Sequence, residues 1–507
     1  MNYDVIIIGG GIGGLMTAYN LRKQNKDISI AIIEKGNNLE NRRCPAAINN
    51  KKCIKCARCS ITSGFAGAGS FSDGKYNLGT AYGGTLGIEL GEDLAMKYIQ
   101  EVEHILDFFT PEINKKHIHI YDTDEELKIK CLQNNLRLLD MKVKHLGTDN
   151  NYDIMDVLIS YLRLHYVELI SNTEVLDIRK PNDLNQYAVE VNNEDCIYYA
   201  KHIVIATGRN GSDFVEHICN KFNIPISSNT VDLGVRVEMK DAIWKHFSDK
   251  IYEPKILYKT KTFEDNCRMF CFNQGGKVSA ENNDGIITAN GHSFADKSRK
   301  TENCNFAILS SINFTEPFNK PTEYVKSYSK MANIIGADNV IVQRFGDLIR
   351  GRRTNEHRLS QNTVIPTLKA TAGDLSLVLP HRILTNIIET IYALDKVASG
   401  TANDDTLLYG CEAKYYSIKP NHNENFEIYK DIYLIGDGSG ICRGLSQSGA
   451  MGLYVADKII EKIKSDKTES TISDEKRFTE YIEKMTIYKN KEQARLNSKF
   501  SDSIIIR

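Results

Sequence analysis

The sequence predicts an α/β chain. A parallel sheet with helices and a small β-meander is interleaved with a second, α+β lobe. Three observations carry this. Asp4 to Ile8 is a short, nearly all-apolar run, as a buried parallel strand requires, and it ends in glycines. A second apolar run, Ile28 to Ile33, follows after a helix-forming stretch and ends at an acid. Two further runs, His202 to Ile205 and Asp431 to Ile435, also stop at small residues, so the sheet draws on widely separated segments.

The first strand opens onto Gly9, Gly11 and Gly14, which fit G-x-G-x-x-G, with Gly13 in the same turn. The first glycine allows the tight turn, the second lets a pyrophosphate approach the backbone, and the third lets the helix pack close to the strand. The helix start then offers unpaired N–H groups and the positive end of its dipole. Glu34 lies 20 residues after Gly14, where an acceptor for a ribose hydroxyl belongs, and Lys35 follows it. Strand, glycines, helix, strand and acid in register make a Rossmann-like dinucleotide motif.

At 507 residues, two or three lobes are expected. With 64 basic and 65 acidic residues, the net charge of −1 gives no reason to expect nucleic acid or an anionic membrane as partner. No apolar stretch reaches membrane-spanning length, and the first strand begins too early to leave room for a signal peptide. A soluble, cytoplasmic protein is expected. Four of the twelve cysteines fall between positions 44 and 59, which favours thiols, metal or cluster ligands over a disulfide frame.

Residues 36–60 are polar and cysteine-bearing. Residues 61–91 are glycine-rich, and Gly67, Gly69 and Ser70 there suit a backbone approaching something flat or anionic. Glu92 to Phe109 has helical spacing, as does Ile154 to Leu169. Glu174 to Ile178, Tyr187 to Val191 and Cys196 to Tyr199 suit a small antiparallel meander. From about Ser227 strands and helices alternate differently: Val231 to Glu238, Arg268 to Phe272 and Asn305 to Asn313 read as strands, Pro321 to Ile334 and Leu384 to Lys396 as helices. Ala450 to Lys464 is a helix. The charged tail after it reads as a solvated helix or, as the sharper alternative, a homodimer contact.

Three separated pieces, the glycine turn, Ile205-Ala206-Thr207-Gly208 and Leu434-Ile435-Gly436-Asp437-Gly438, together resemble the glutathione-reductase-like FAD-binding flavoproteins. The resemblance is closer to the uncharacterised bacterial FAD-dependent dehydrogenases. It is carried by Cys44-Pro45, Cys53-x-x-Cys56-x-x-Cys59, Ser63 to Lys75, His145 to Asp149, Val231 to Glu238, Phe270-Cys271-Phe272 with Gly275-Gly276, and Asn290 to Ser293. It implies that FAD is the cofactor, that Asp437 binds the ribitol, and that a helix introduced by Ser446, Gln447 and Gly449 points at the flavin. Val175 is placed where such proteins hold adenine through a valine backbone; a core valine is the alternative. Two departures are visible. Ala66 stands where glycine is expected, and the residues after Glu412 are not the Thr/Ser-rich ones expected. The implied layout is an FAD-binding domain in three parts, 1–91, 151–225 and 411–464, with an excursion at 92–150, a substrate domain at 226–410 and a helical tail at 465–507.

Other residues suit accessory roles. Arg42 or Arg43 would balance the two phosphate charges, or be merely solvated. Cys44, Cys53, Cys56 and Cys59 suit a [4Fe-4S] cluster, structural zinc, a dithiol–disulfide pair or ordinary thiols. His292 suits an acid or base, or a surface loop. Asp73 and Lys75 suit substrate or flavin contact, or each other. The run Arg350-Gly351-Arg352-Arg353 suits an anion, or a solvated face. One dinucleotide motif alone is visible, so the substrate or a protein partner, rather than a second bound nucleotide, is the favoured direct electron source. The expected function is an FAD-dependent oxidoreductase moving hydride between a small organic substrate and flavin N5, its other electron donor or acceptor unidentified. A flavin monooxygenase, a tRNA-modifying flavoprotein and a redox-sensing subunit are the alternatives.

Overall fold

The computed structural model describes residues 1–466 apart from 49–55, 57, 72–73, 116–117, 147, 182–185, 194–195, 228–229, 252, 284, 293–297, 299, 313, 315–317, 319 and 415–416. The chain forms two compact units. The first comprises Met1–Ile120, Val143–Ser227 and Ser417–Arg507; the second comprises Tyr121–Lys142 and Ser228–Tyr416.

The first unit is built on a sheet whose strands run in the order Glu427–Tyr429, Ile432–Leu434, Ile197–Ile205, Asn2–Ile8, Ile30–Ile33 and Glu168–Ile170. The last five are mutually parallel. Val5 to Ile8 are buried on both faces, as the unbroken apolar run requires. The first helix, Ile12–Gln24, lies against the last, Leu445–Asp466; a Cβ on Gly452 would stand 2.4 Å from the Gly13 carbonyl oxygen. Asn20 Nδ2 donates to the Leu453 carbonyl at 2.9 Å and to Asp457 at 2.7 Å, fixing the register of the two helices.

The meander and the middle parallel strand are one continuous structure. The first half of Ile197–Ile205 pairs antiparallel with Tyr187–Val191, and its second half pairs parallel with Asn2–Ile8. The helix expected over Ile154 to Leu169 ends earlier, as Thr148–Leu164. Tyr166 then adopts a left-handed backbone with φ of 60°, and Glu168–Ile170 leaves as the outer parallel strand beside Ile30–Ile33.

The second unit has a largely antiparallel sheet in the order Thr371–Ala372, Ile341–Arg344, Leu407–Lys414, Val231–Lys240, Asn303–Ile312, Asn266–Asn273, Ile256–Lys259 and Leu136–Leu138. Leu233, Val235, Val237 and Met239 point into a core shared with Trp244, Ile387 and Ile391. The alternate residues Asp232, Arg236 and Glu238 are also 0% exposed, so both faces of this strand are covered and one of them is polar.

Two expected boundaries move. Within the stretch 92–150, only 121–142 joins the second unit, because Leu136–Leu138 adds an edge strand to Ile256–Lys259. The break expected at 410/411 falls inside Leu407–Lys414, which stays paired to Val231–Lys240 as far as Lys414.

Candidate cofactor site

The glycine turn has the local geometry its spacing predicts. Gly9 has a φ of 111°, and a Cβ on it would stand 2.4 Å from the Ala206 carbonyl oxygen. A Cβ on Gly14 would stand 2.2 Å from the Gly9 carbonyl oxygen, so only glycine lets the helix sit this close to the turn. Gly11 is different: the nearest atom to a Cβ there is Gly67 Cα, at 3.9 Å. Gly11 thus keeps room for a side chain, whereas Gly10 is packed against the Phe65 ring, and the first-turn N–H groups have no helical partner.

The loop at 64–70 lies over this turn. Ala66 N–H donates to the Gly10 carbonyl at 2.8 Å. Ala66 itself has a φ of 70°, the left-handed region that favours glycine. The residue that departs from the expected glycine thus occupies a glycine-type conformation. Gly69 packs against Leu445, and Ser70 donates to the Gly67 carbonyl at 2.9 Å.

Glu34 is buried, and its carboxylate ties the loops together. Gly10 N–H donates to Oε2 at 2.8 Å, while Gly36 and Gly64 N–H donate to Oε1, each at 2.9 Å. A carboxylate offers about four acceptor positions, so Oε2 keeps one for a ribose hydroxyl. Lys35 is half-buried beside it, and Val175 is a core residue at 8% exposure on the meander's first strand, with its backbone paired to Val191.

Arg42 is neither solvated nor available to phosphate. It is 4% exposed; its Nε donates to the Ser60 carbonyl at 2.9 Å and Nη2 to that of Ile61 at 2.7 Å. Nη1 serves the carbonyls of Phe65 at 2.7 Å and Gly67 at 2.8 Å and Ser70 Oγ at 2.9 Å. Burial pulls its pKa down to about 10, with Glu34 and Cys59 opposing the fall. Its planar fork organises the loop, a job for which it satisfies orphan carbonyls rather than a ligand. Arg43 is exposed.

The second and third motif pieces meet at the ends of their parallel strands. Gly208 has a φ of 62°, and a Cβ on Gly438 would stand 3.1 Å from the Gly208 carbonyl oxygen. Gly436 has a φ of 72°. Asp437 Oδ2 accepts from Arg209 Nη2 at 3.0 Å. Arg209 follows the second motif directly, and sequence reasoning passed it over; its position beside the Thr-Gly pair was the available signal. In the last helix, Gln447 donates to the Tyr82 carbonyl at 3.0 Å and accepts from Leu86 N–H at 3.3 Å, so it positions the 82–86 loop. Gly449 lies against Val102 and Met16. The hydroxyls of Ser446 and Thr207 are buried with no hydrogen-bond partner among the described residues.

These residues fit FAD. The unobstructed Gly11, the contact-free Gly208, the helix start at Leu445 and the two hydroxyls without a partner among the described residues all belong to one unit.

The cysteine group gives less. Cys44 is half-buried, Cys56 and Cys59 are exposed, and Cys53 lies outside the described residues. Among the described residues no group of three or more His, Cys, Asp and Glu is placed to hold a metal ion, so neither the iron–sulfur nor the zinc reading gains support. Partial burial raises the Cys59 thiol, but hydrogen bonds from Thr62 and Ile61 N–H and the charge of Arg42 outweigh it and hold its pKa below the ordinary value.

Asp73 lies outside the described residues. Lys75 sits in the first unit, opposite His145 in a short strand pair. His292 is exposed at the end of Ile286–His292, in the second unit. The basic run at 350–353 is taken up locally: Arg350 pairs with Asp404 at 2.8 Å and Arg352 with Asp347 at 2.7 Å.

Among the described residues no helix is long and apolar enough to cross a membrane. The family model "FAD-dependent protein, C-terminal domain-like" matches residues 231–415, and the model "NAD(P)-binding Rossmann-like domain" matches residues 7–40. A curated protein of Clostridium beijerinckii, described as an uncharacterized protein, is 24% identical over 489 residues, covering 90% of this chain and 80% of that protein. Among solved structures, L-proline dehydrogenase from P. horikoshii is similar at a TM-score of 0.38 and 13% identity, covering 92% of this chain and 95% of that one. Glycine oxidase from Geobacillus kaustophilus gives 0.37 and 12%, covering 93% and 96%. The dinucleotide motif, the parallel sheet and the two family-model matches give this chain the fold of an FAD-dependent oxidoreductase.

Proposed function

We propose that this protein is a cytoplasmic FAD-dependent dehydrogenase or reductase of the glutathione-reductase-like superfamily, close to the uncharacterised bacterial FAD-dependent dehydrogenases, acting on a small organic molecule. One observation carries the reading above the others: Gly11, Glu34, the Gly208–Gly438 contact and the start of the last helix all belong to one unit, with the Ser446 and Thr207 hydroxyls buried and without a partner among the described residues.

When bound, FAD supplies a centre that accepts or gives a hydride. The chain's own residues do the rest. The first-turn amides of Ile12–Gln24 would hold the diphosphate, and Glu34 Oε2 would accept from the adenosine ribose. Asp437, which accepts from Arg209 through Oδ2, would accept from the ribitol hydroxyls. The amides at Leu445 to Gln447 stabilise negative charge developing beside them. Arg42 holds the Gly67 carbonyl and with it the loop that lies over the turn. His292 is our candidate for moving a proton, and the cysteines are read as thiols, with Cys59 the reactive one.

The test is spectroscopic. Purified protein reconstituted with FAD should show flavin absorption that dithionite bleaches anaerobically. Asp437→Ala should weaken FAD binding by roughly tenfold or more, the loss of a charged hydrogen bond. Wild-type protein that stays colourless after reconstitution rejects the proposal.

A further inference from the structure

The parallel strands Ile432–Leu434, Ile197–Ile205 and Asn2–Ile8 lie side by side in the first unit. Ligands of open α/β sheets gather outside the carboxyl ends of such strands. Ile197–Ile205 leads into the short turn Arg209–Gly211, and Ile432–Leu434 leads into Gly436–Ser439. The two turns touch, Gly438 lying against the Gly208 carbonyl. Each backbone is held locally. Ser212 Oγ donates to the Arg209 carbonyl at 2.7 Å, and Gly440 N–H donates to the Asp437 carbonyl at 3.1 Å. Across this contact the side chains meet, Arg209 Nη2 donating to Asp437 Oδ2 at 3.0 Å.

Folding gains little from this pair. Its side chains are 43% and 25% exposed, and ion pairs open to water contribute little to stability. Its place in the fold has another consequence. An open carboxylate turns about two side-chain bonds, and a guanidinium on Oδ2 restrains it. Both oxygens of a carboxylate have acceptor positions, so Asp437 can hold Arg209 and accept from a hydroxyl at once. A group fixed before its ligand arrives loses less freedom on binding. Arg42 does not take this part, because its guanidinium serves the loop carbonyls of Ser60, Ile61, Phe65 and Gly67.

We propose that Arg209 is a positioning residue of the cofactor site. It pins Asp437 Oδ2 so that the carboxylate stands ready for the ribityl hydroxyls of FAD, and it acts through Asp437 rather than on the diphosphate. The proposal rests on the FAD reading above and adds to it a residue that acts on one half of the cofactor.

The experiment titrates the full chain with FAD, followed by flavin fluorescence, and with ADP, followed by displacement of FAD. ADP carries the diphosphate but no ribityl chain. Arg209→Met should weaken FAD roughly fivefold or more, leave ADP within about twofold, and leave the urea midpoint unchanged. Arg209→Lys should restore part of the FAD affinity, because an ammonium still pairs with a carboxylate. In a protein already carrying Asp437→Ala, Arg209→Met should have no further effect on FAD, the result a double-mutant cycle gives when one residue works through the other. Equal weakening of FAD and ADP, the same loss with and without Asp437, or unchanged FAD affinity in Arg209→Met overturns the proposal. If Asp437→Ala weakens FAD while Arg209→Met does not, this proposal fails and the FAD reading stands. Wild-type protein that takes up no FAD removes both.

Discussion

Gly67 lies against Gly11: a Cβ on Gly67 would stand 3.0 Å from the Gly11 Cα, and its φ is 64°. The two glycines face each other across the turn, while Gly14 is sealed against Gly9 behind it. Neighbouring motif glycines therefore do separable jobs. Gly11→Ala should keep stability within about 1 kcal/mol of wild type, because its Cβ meets no atom closely, yet weaken FAD binding by roughly tenfold or more. Gly14→Ala should cost about 2–3 kcal/mol through overpacking. Urea unfolding and flavin-fluorescence titration check the pair. Equal destabilisation by both would refute the distinction.

Arg42 should matter to the loop before it matters to any ligand. Removing its guanidinium leaves the carbonyls of Ser60, Ile61, Phe65 and Gly67 without their donor. Arg42→Gln should cost about 3 kcal/mol, and Arg42→Lys should rescue little, because a single ammonium cannot reproduce the fork. Denaturant titration measures both.

The same arginine helps to lower the Cys59 thiol pKa. At pH 7.5 iodoacetamide should label Cys59 faster than Cys44 or Cys56, by peptide mass spectrometry. Arg42→Gln should slow that labelling roughly threefold. Indistinguishable rates at the three cysteines would contradict this.

Acid sensitivity should centre on Asp431. Burial works against its charge, but His202 at 3.1 Å and Lys462 at 2.7 Å outweigh it and hold its pKa at about 2, down from an ordinary 3.8. A depressed carboxyl stabilises the fold fully above its unfolded pKa, and the contribution is lost as pH falls through the folded value. The pair should therefore contribute about 1 kcal/mol above pH 4, after allowance for partial exposure, and nothing below about pH 2. Asp431→Asn should remove that part of the acid dependence in urea titrations between pH 2 and 5.

The sequence alone determined the elements with strong local signals. The strand–glycine–helix start needs close backbone approach at Gly9 and Gly14, and only glycine meets it, so spacing was enough. Amphipathic segments such as Glu92–Phe109 were equally legible, since helical period and burial coincide. Tertiary structure decided what depends on partners remote in the chain. Arg42 reads as a surface cation until the loop at 60–70 folds round it. Glu412 carries no sign of its buried ion-pair partner until Arg236, 176 positions earlier in the sequence, is laid beside it. Local pattern reports backbone conformation and burial, whereas the electrostatic role of a side chain is set by the groups that long-range strand pairing brings against it.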